Sequence, residues 1–520
     1  MNVKINLYSF LLFFIITLLS CGKKSASIAT PDSLYYSEAH RPQLHFSPKE
    51  KWMNDPNGMV YYQGEYHLFY QYYPEAMVWG PMHWGHAVST DMIHWEHLPI
   101  ALYPDSLGLI FSGSVVADVN NTSQLGTTEN PPLVAMFTYH SMEKEKAGKI
   151  DYQNQGIAYS IDKGRTWTKY EHNPVLKNPG IKDFRDPKMF WHAETKKWIV
   201  ILAVFDHVEL YSSDDLKTWH KLSEFGKTFG THGGVWECPD LFQLKVENED
   251  VKKWVMLVSV NPGGPNGGSG TQYFTGDFDG VKFTAAENEK TIKWIDYGPD
   301  DYAGVTWSNT PGERKLFLGW MSNWAYAQQV PTSPWRSAMT VPRELKLEKI
   351  KNDFYLKSSV VDELNKQVIR EKNFDAVEIA DSILISKDSS FDASMAIIEG
   401  SIEANDLEFS FTNALKQRVT VGFDADKKQF VINRSKAGSN EFSKDFRGES
   451  YSSRISVSDT LKFTIVTDVS SVEVFFDDGL STMTSIHFPD ERLANFSIHS
   501  KKIPVKLYNL TVKQLKSIWR

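Results

Sequence analysis

From His45 to about residue 345 the sequence sustains no helical period. It advances in short β-type runs, such as Tyr66-His67-Leu68-Phe69-Tyr70 and Trp198-Ile199-Val200-Ile201-Leu202-Ala203, each closed by Gly, Asn, Asp or Pro. One motif recurs along these runs. Ser89-x-Asp91-x-x-x-Trp95 returns as Ser213-x-Asp215-x-x-x-Trp219, and as Ser160-x-Asp162 with Trp167 one residue later. A related turn, Gly276-Asp277-Phe278-Asp279-Gly280, follows near the next expected period. Copies spaced by roughly 50–70 residues predict four-stranded blades set around an axis. These marks do not number the blades.

A chain of 520 residues exceeds one ordinary core, so two domains are expected. Past about residue 350, segments such as Leu407-Glu408-Phe409-Ser410-Phe411 and Val472-Glu473-Val474-Phe475-Phe476 alternate polar and apolar positions. Strands of that kind bury one face, as in a β-sandwich. The expectation is therefore all-β: a propeller over 41–350 and a sandwich over 365–520, with a linking helix near 360–372.

The N-terminus has a different character. Lys4 precedes an apolar run from Leu7 to Leu19, shorter than the roughly 20 residues of a spanning helix, which reads as an export signal over 1–20. Its ending, Leu18-Leu19-Ser20-Cys21, resembles a bacterial lipobox, in which Cys21 carries lipid. Residues 21–40 are then a tether. The second cysteine is Cys238, so a lipidated Cys21 leaves no intramolecular disulfide. A formal charge of -8 argues against nucleic acid as a partner. The 16 Trp and 22 Tyr suit both large cores and platforms for sugar rings.

Three carboxylates have distinctive neighbours. Asp55 lies in Trp52-Met53-Asn54-Asp55-Pro56-Asn57-Gly58, which taken alone reads as a turn. Asp186 lies in Phe184-Arg185-Asp186-Pro187, where the adjacent Arg would keep it ionised. Glu237, in Val235-Trp236-Glu237-Cys238-Pro239-Asp240, has apolar sequence neighbours, a setting suited to an acid catalyst or to a structural acid. Other signals are weaker. His83-x-x-His86 has no third ligand, and residues 263–268 form a Gly-rich loop without a phosphate-loop Lys. Cys238 reads as a buried structural thiol. No metal or cofactor is called for.

In this order the three motifs resemble glycoside hydrolase family 32, which includes invertases, inulinases and levanases. Supporting matches are Trp79-Gly80, Phe111-Ser112-Gly113-Ser114, Asp296-Tyr297-Gly298-Pro299-Asp300, Pro331-to-Arg336 and Pro342-Arg343-Glu344-Leu345. The resemblance implies a five-bladed β-propeller followed by a β-sandwich, with Asp55, Asp186 and Glu237 meeting at one end of the propeller axis. It implies Asp55 as nucleophile, Glu237 as acid/base and Asp186 as transition-state stabiliser supported by Arg185. Asn54, Gln71, Trp79, Phe111 and Ser112 would line the first sugar subsite, with Trp324 or its neighbour Trp320. The implied substrate is a fructan, levan or inulin, or sucrose. Exo-attack is the default, with endo-attack and fructosyl transfer open. A lipid on Cys21 would hold the protein on a membrane, at the periplasmic face or the cell surface.

Overall fold

The computed structural model describes residues 35–386, 391–446 and 448–519. Cys21 and the apolar run before it lie outside the described residues. Residues 36–520 form one compact unit.

Five sheets, each built on four antiparallel strands, occupy the first part; the four are consecutive in the first four sheets, and in the fifth the short strands Trp335–Arg336 and Ala338–Met339 intervene. Their first strands are Lys51–Tyr62, Leu109–Ala117, Phe184–His192, Val235–Lys245 and Tyr302–Thr306. Each first strand packs on the next and the fifth packs on the first, so the ring closes as a five-bladed propeller. Closure is stitched by backbone bonds. Tyr61 N donates to Ser308 O at 2.9 Å, Ser308 N donates to Met59 O at 3.0 Å, and Trp335–Arg336 pairs in parallel with Lys51 and Trp52.

The recurring motif marks the turn between the third and fourth strands of a blade. Ser89, Ser160 and Ser213 hydroxyls each bond the Asp two residues on, at 3.1, 2.7 and 3.0 Å. The same Asp oxygen accepts backbone N–H groups further round the turn, as Asp91 does from Ile93 and His94. Asp279 caps the fourth blade's turn in the same way. The fifth blade turns from Ile350 to Asp353 through Lys351 and Asn352 and carries no such mark.

The fifth sheet ends at Val360, beyond residue 350. No linking helix follows. Asp362–Gln367 is a short 3-10 segment, and Val368–Phe374 is captured as a strand against Val505–Leu515. The β-branched Val368-Ile369 pair favours strand pairing, which leaves six residues for the tighter 3-10 segment. A seven-stranded and a six-stranded sheet then face each other across a core that includes Phe409, Phe430, Phe463, Phe476 and Phe496. This is the β-sandwich.

Sandwich and propeller are joined by buried charge. Arg343, fully buried, bonds Asp296 and Asp301 at 3.0 and 2.9 Å, and also Glu473 of the sandwich. His45 stands between Asp468 and Glu473, with Nδ1 and Nε2 at 2.7 and 2.8 Å from their oxygens. Asp300 pairs with Arg434 at 2.6 Å. Gly298 lies so close to the Thr484 backbone that a β-carbon would meet its carbonyl oxygen at 2.1 Å. Burial by itself would lower the His45 pKa, but the two carboxylates raise it from 6.5 to about 9. A folded pKa above the unfolded one stabilises fully below about pH 6.5 and is lost as pH rises towards 9. The unfolding midpoint of His45→Gln should therefore fall furthest below that of the parent near pH 6. The gap should narrow towards pH 9.5, measured by urea denaturation across that range.

Candidate active site

The first strands of blades one, two, three and four all break register near the same end of the axis. Irregularities fall between Met53 and Pro56, between Ile110 and Gly113, between Arg185 and Lys188, and between Glu237 and Asp240. Bulges of this kind re-aim side chains. Three of them carry a proline, Pro56, Pro187 or Pro239, whose missing N–H is tolerated where the ladder is already broken. Asp186 and Cys238 adopt left-handed φ values of 63° and 45°, uncommon for residues other than Gly.

The result is one pocket of about 320 Å³, at the small end of ligand cavities. It is lined by all three acids and by Asn54, Gln71, Trp79, Phe111, Ser112, Arg185 and Trp324. Trp320 is instead fully buried and packs against Trp52, Tyr302 and Trp324. The Gly-rich loop lies behind Trp324. Gly268 abuts Asn323, and the Ser269 hydroxyl accepts from Trp324 N at 3.2 Å.

Asp55 is buried and held from three directions. Asn54 Nδ2 donates to Oδ1 at 2.8 Å, the Ser112 hydroxyl donates to Oδ2 at 2.7 Å, and the Cys238 thiol sits 3.4 Å from Oδ2. Asn54 is itself fixed by Trp52 Nε1 at 2.7 Å. Burial raises the Asp55 pKa, and the nearby charge of Glu237 raises it further, while these three donors pull it down. Gln71 Nε2 is buried in the pocket wall without a hydrogen-bond partner.

Asp186 accepts from Cys238 N at 3.0 Å, and its own N–H donates to the Thr138 hydroxyl at 3.0 Å. Arg185 supports Asp186 through charge, while its hydrogen bonds go elsewhere. The guanidinium donates to Glu237 Oε1 from Nη2 at 2.9 Å and from Nε at 3.3 Å, and to Asp183 Oδ1 from Nη1 at 2.6 Å. Asp186 Oδ2 lies 3.9 Å away. Arg185 still opposes protonation of Asp186, but burial outweighs it and, with Glu237 and Asp55 adding repulsion, raises the Asp186 pKa.

Glu237 has different company from its sequence neighbours. Trp236 points to the other face, into the core between blades three and four. The Glu237 carboxylate turns towards Arg185 and accepts a short hydrogen bond from the Tyr302 hydroxyl on blade five. Its surroundings are therefore polar. Cys238 is buried, as expected of a structural thiol, yet its Sγ lies between Asp55 and Asp186. Burial and both carboxylates push that thiol well up, which keeps it protonated and a donor.

Several lining residues had no sequence signal: His140, Glu145, Tyr152, Gln153, Asp183 and Gln328. They come from loops or from strand positions outside the three motifs. His83 and His86 do not converge. His83 bonds Pro81 O, and the buried His86 bonds His67. Among the described residues one His–Glu–Glu group, His207, Glu209 and Glu224, has metal-ligand spacing, but Lys221 already pairs with Glu209 and Glu224.

The chain matches the glycosyl hydrolases family 32 N-terminal domain over residues 45–358 and the family's C-terminal domain over residues 359–514. It is 48% identical over 500 residues to a levanase of Bacillus subtilis (strain 168), covering 94% of this chain and 72% of the relative. The crystal structure of an exo-inulinase from Aspergillus awamori superposes with a TM-score of 0.85 at 36% identity, covering 93% of this chain and all (100%) of that one. A β-fructofuranosidase from Schwanniomyces occidentalis, solved with fructosyl-erythritol, gives 0.84 at 31% identity, covering 93% of this chain and 99% of that one.

Proposed function

This chain belongs to glycosyl hydrolase family 32, and from that membership we propose that it is an exo-acting β-fructosidase, releasing fructose from levan or inulin and from sucrose. One observation carries the reading: Asp55, Asp186 and Glu237, on the inner strands of three blades, face one small pocket. Its lining includes the buried groups Asn54, Asp55, Gln71, Ser112 and Asp186, and the buried Cys238 thiol backs Asp55 and Asp186. A pocket of about 320 Å³ suits the single terminal unit of a chain.

The reaction uses two carboxylates. Asp55 attacks the anomeric carbon of the terminal fructosyl unit while Glu237 gives its proton to the departing oxygen. A fructosyl ester forms on Asp55. Glu237, now a base, takes a proton from water, which attacks the same carbon and frees fructose with retention. The donors from Asn54, Ser112 and Cys238 favour the ionised Asp55 that attack requires. Asp186 accepts from the sugar hydroxyls and faces the charge that develops in the oxocarbenium-like transition state. Gln71 Nε2, otherwise unpartnered, donates to the same sugar, and Trp79, Phe111 and Trp324 enclose it. Arg185 and Tyr302 orient Glu237.

Export and lipid attachment rest on the sequence alone. The apolar run from Leu7 to Leu19 followed by Cys21 supports export and attachment to a membrane, at the periplasmic face or the cell surface, with the tether holding the enzyme there.

Early products of levan, inulin and sucrose digestion, separated by chromatography, test the function. Fructose alone is expected; a ladder of shorter oligosaccharides would mean endo-attack, and growth of longer ones would mean transfer. Glu237→Ala should lose at least about a hundredfold in turnover, with azide restoring part of it on an aryl fructoside. Labelled palmitate should enter the parent protein in bacteria and not Cys21→Ala; labelling of both would remove Cys21 as the lipid site.

A further inference from the structure

We propose that Asp183, with Glu145 and His140 at the lip above it, forms the subsite for the leaving unit and selects an uncharged, hydroxyl-bearing one. This rests on the fructosidase reading and adds to it the residues that receive the other half of the bond. Asp183 directly precedes the inner strand of blade three and lies in the pocket wall, 7% exposed. One of its oxygens is fully engaged. Oδ1 accepts from Arg185 Nη1 at 2.6 Å and from the Tyr152 hydroxyl at 3.1 Å. The other, Oδ2, is buried without a hydrogen-bond partner. A buried carboxylate oxygen left unsatisfied is costly, and pockets are where such an atom finds its donor in a ligand.

The position of Asp183 says which half of the substrate that donor belongs to. One guanidinium joins Asp183 to Glu237, through Nη1 and Nη2 respectively. In the displacement, Asp55 and the departing oxygen lie on opposite faces of the anomeric carbon. The leaving unit therefore lies on the Glu237 side, and the next acceptor beyond Arg185 on that side is Asp183.

The lip above extends the same chemistry. Met142–Lys146 forms a single helical turn in the excursion between the second and third strands of blade two, and presents Glu145, whose side chain is 44% exposed. Its Oε2 lies 3.1 Å from His140 Nε2. His140 Nδ1 accepts from Gln153 Nε2 at 3.2 Å, so the His140 proton sits on Nε2 and points at Glu145. Phe111 stacks on the His140 ring with centroids 4.2 Å apart. Burial lowers the His140 pKa, which keeps that ring neutral. The two carboxylates accept from hydroxyls and repel anions, and the neutral ring, engaged at both nitrogens, adds no positive charge that would attract one. A sugar suits this wall; a phosphorylated or carboxylated leaving unit does not.

The test compares two leaving groups on the full-length protein. Levanbiose presents hydroxyls to the wall, and 4-nitrophenyl β-fructofuranoside does not. For Asp183→Asn, kcat/KM on levanbiose should fall at least about tenfold relative to that on the aryl fructoside, chiefly through KM, as expected for one hydrogen bond to a charged group. Glu145→Ala, which does not touch Arg185, should show the same selective loss at about threefold. Equal losses on both substrates would mean that Asp183 merely holds Arg185, and would overturn the proposal. A parent enzyme releasing no fructose from either substrate would instead overturn the function itself, so the two failures are distinguishable.

Discussion

The site depends on holding Asp55, Asp186 and Glu237 together beside a single guanidinium. Crowded carboxylates in a buried pocket tend to take up protons, and both Asp55 and Asp186 are pushed in that direction by burial and by their neighbours. The protein offsets this at Asp55 with three donors, from Asn54, Ser112 and Cys238, which favour the ionised form. Arg185 donates its hydrogen bonds to Glu237 and Asp183 and reaches Asp186 only through its charge, which together with the Cys238 N–H opposes the protonation that burial favours there. Such an arrangement is tolerable only where the backbone leaves it no alternative. The closed ring of five inner strands, bulged at one end, supplies that constraint.

The sandwich touches this economy from behind. Arg343 and His45 are the cations of a buried cluster that also holds Asp296, Asp301, Asp468 and Glu473. Breaking one member of such a cluster strands the others without compensation, a cost of about 3–5 kcal/mol. The Asp296-to-Asp300 and Pro342-to-Leu345 motifs therefore fasten the two domains and do not line the pocket. Part of the fastening reaches the site indirectly. Asn323, next to the pocket residue Trp324, bonds Pro299 O at 2.7 Å, and Tyr326 bonds Asp300 at 2.5 Å.

Much of the fold was legible because its signals are local. Ser-x-Asp turns carry their own hydrogen bonds, so three blades announce themselves in sequence. The fifth does not, since its turn at Lys351 and Asn352 carries no Ser-x-Asp mark, so local motifs do not number the blades and five is implied only by the family resemblance. The three acids were legible because each sits in an unusual local sequence, two of them directly before proline. Their partners were not. Arg185 is adjacent to Asp186 in the chain, yet a bulge turns its guanidinium to Glu237, which lies on another blade. Trp236 and Glu237 occupy opposite faces of one strand, so apolar neighbours in sequence misreported the carboxylate's polar setting. Asp183 and His140 reach the pocket, and Tyr302 reaches Glu237, only through tertiary packing, and single-chain patterns carry no trace of that.

The central claim is that Asp55 bonds to the sugar while Glu237 manages the proton. The most direct measurement is mass spectrometry of Glu237→Ala mixed with an aryl fructoside and quenched in acid within milliseconds. Loss of the acid/base slows release of the ester more than its formation from so good a leaving group. The account predicts one fructosyl adduct, on the peptide carrying Asp55, that disappears when azide is added. An adduct on any other peptide, or fructose released with inverted configuration and no adduct, would contradict it.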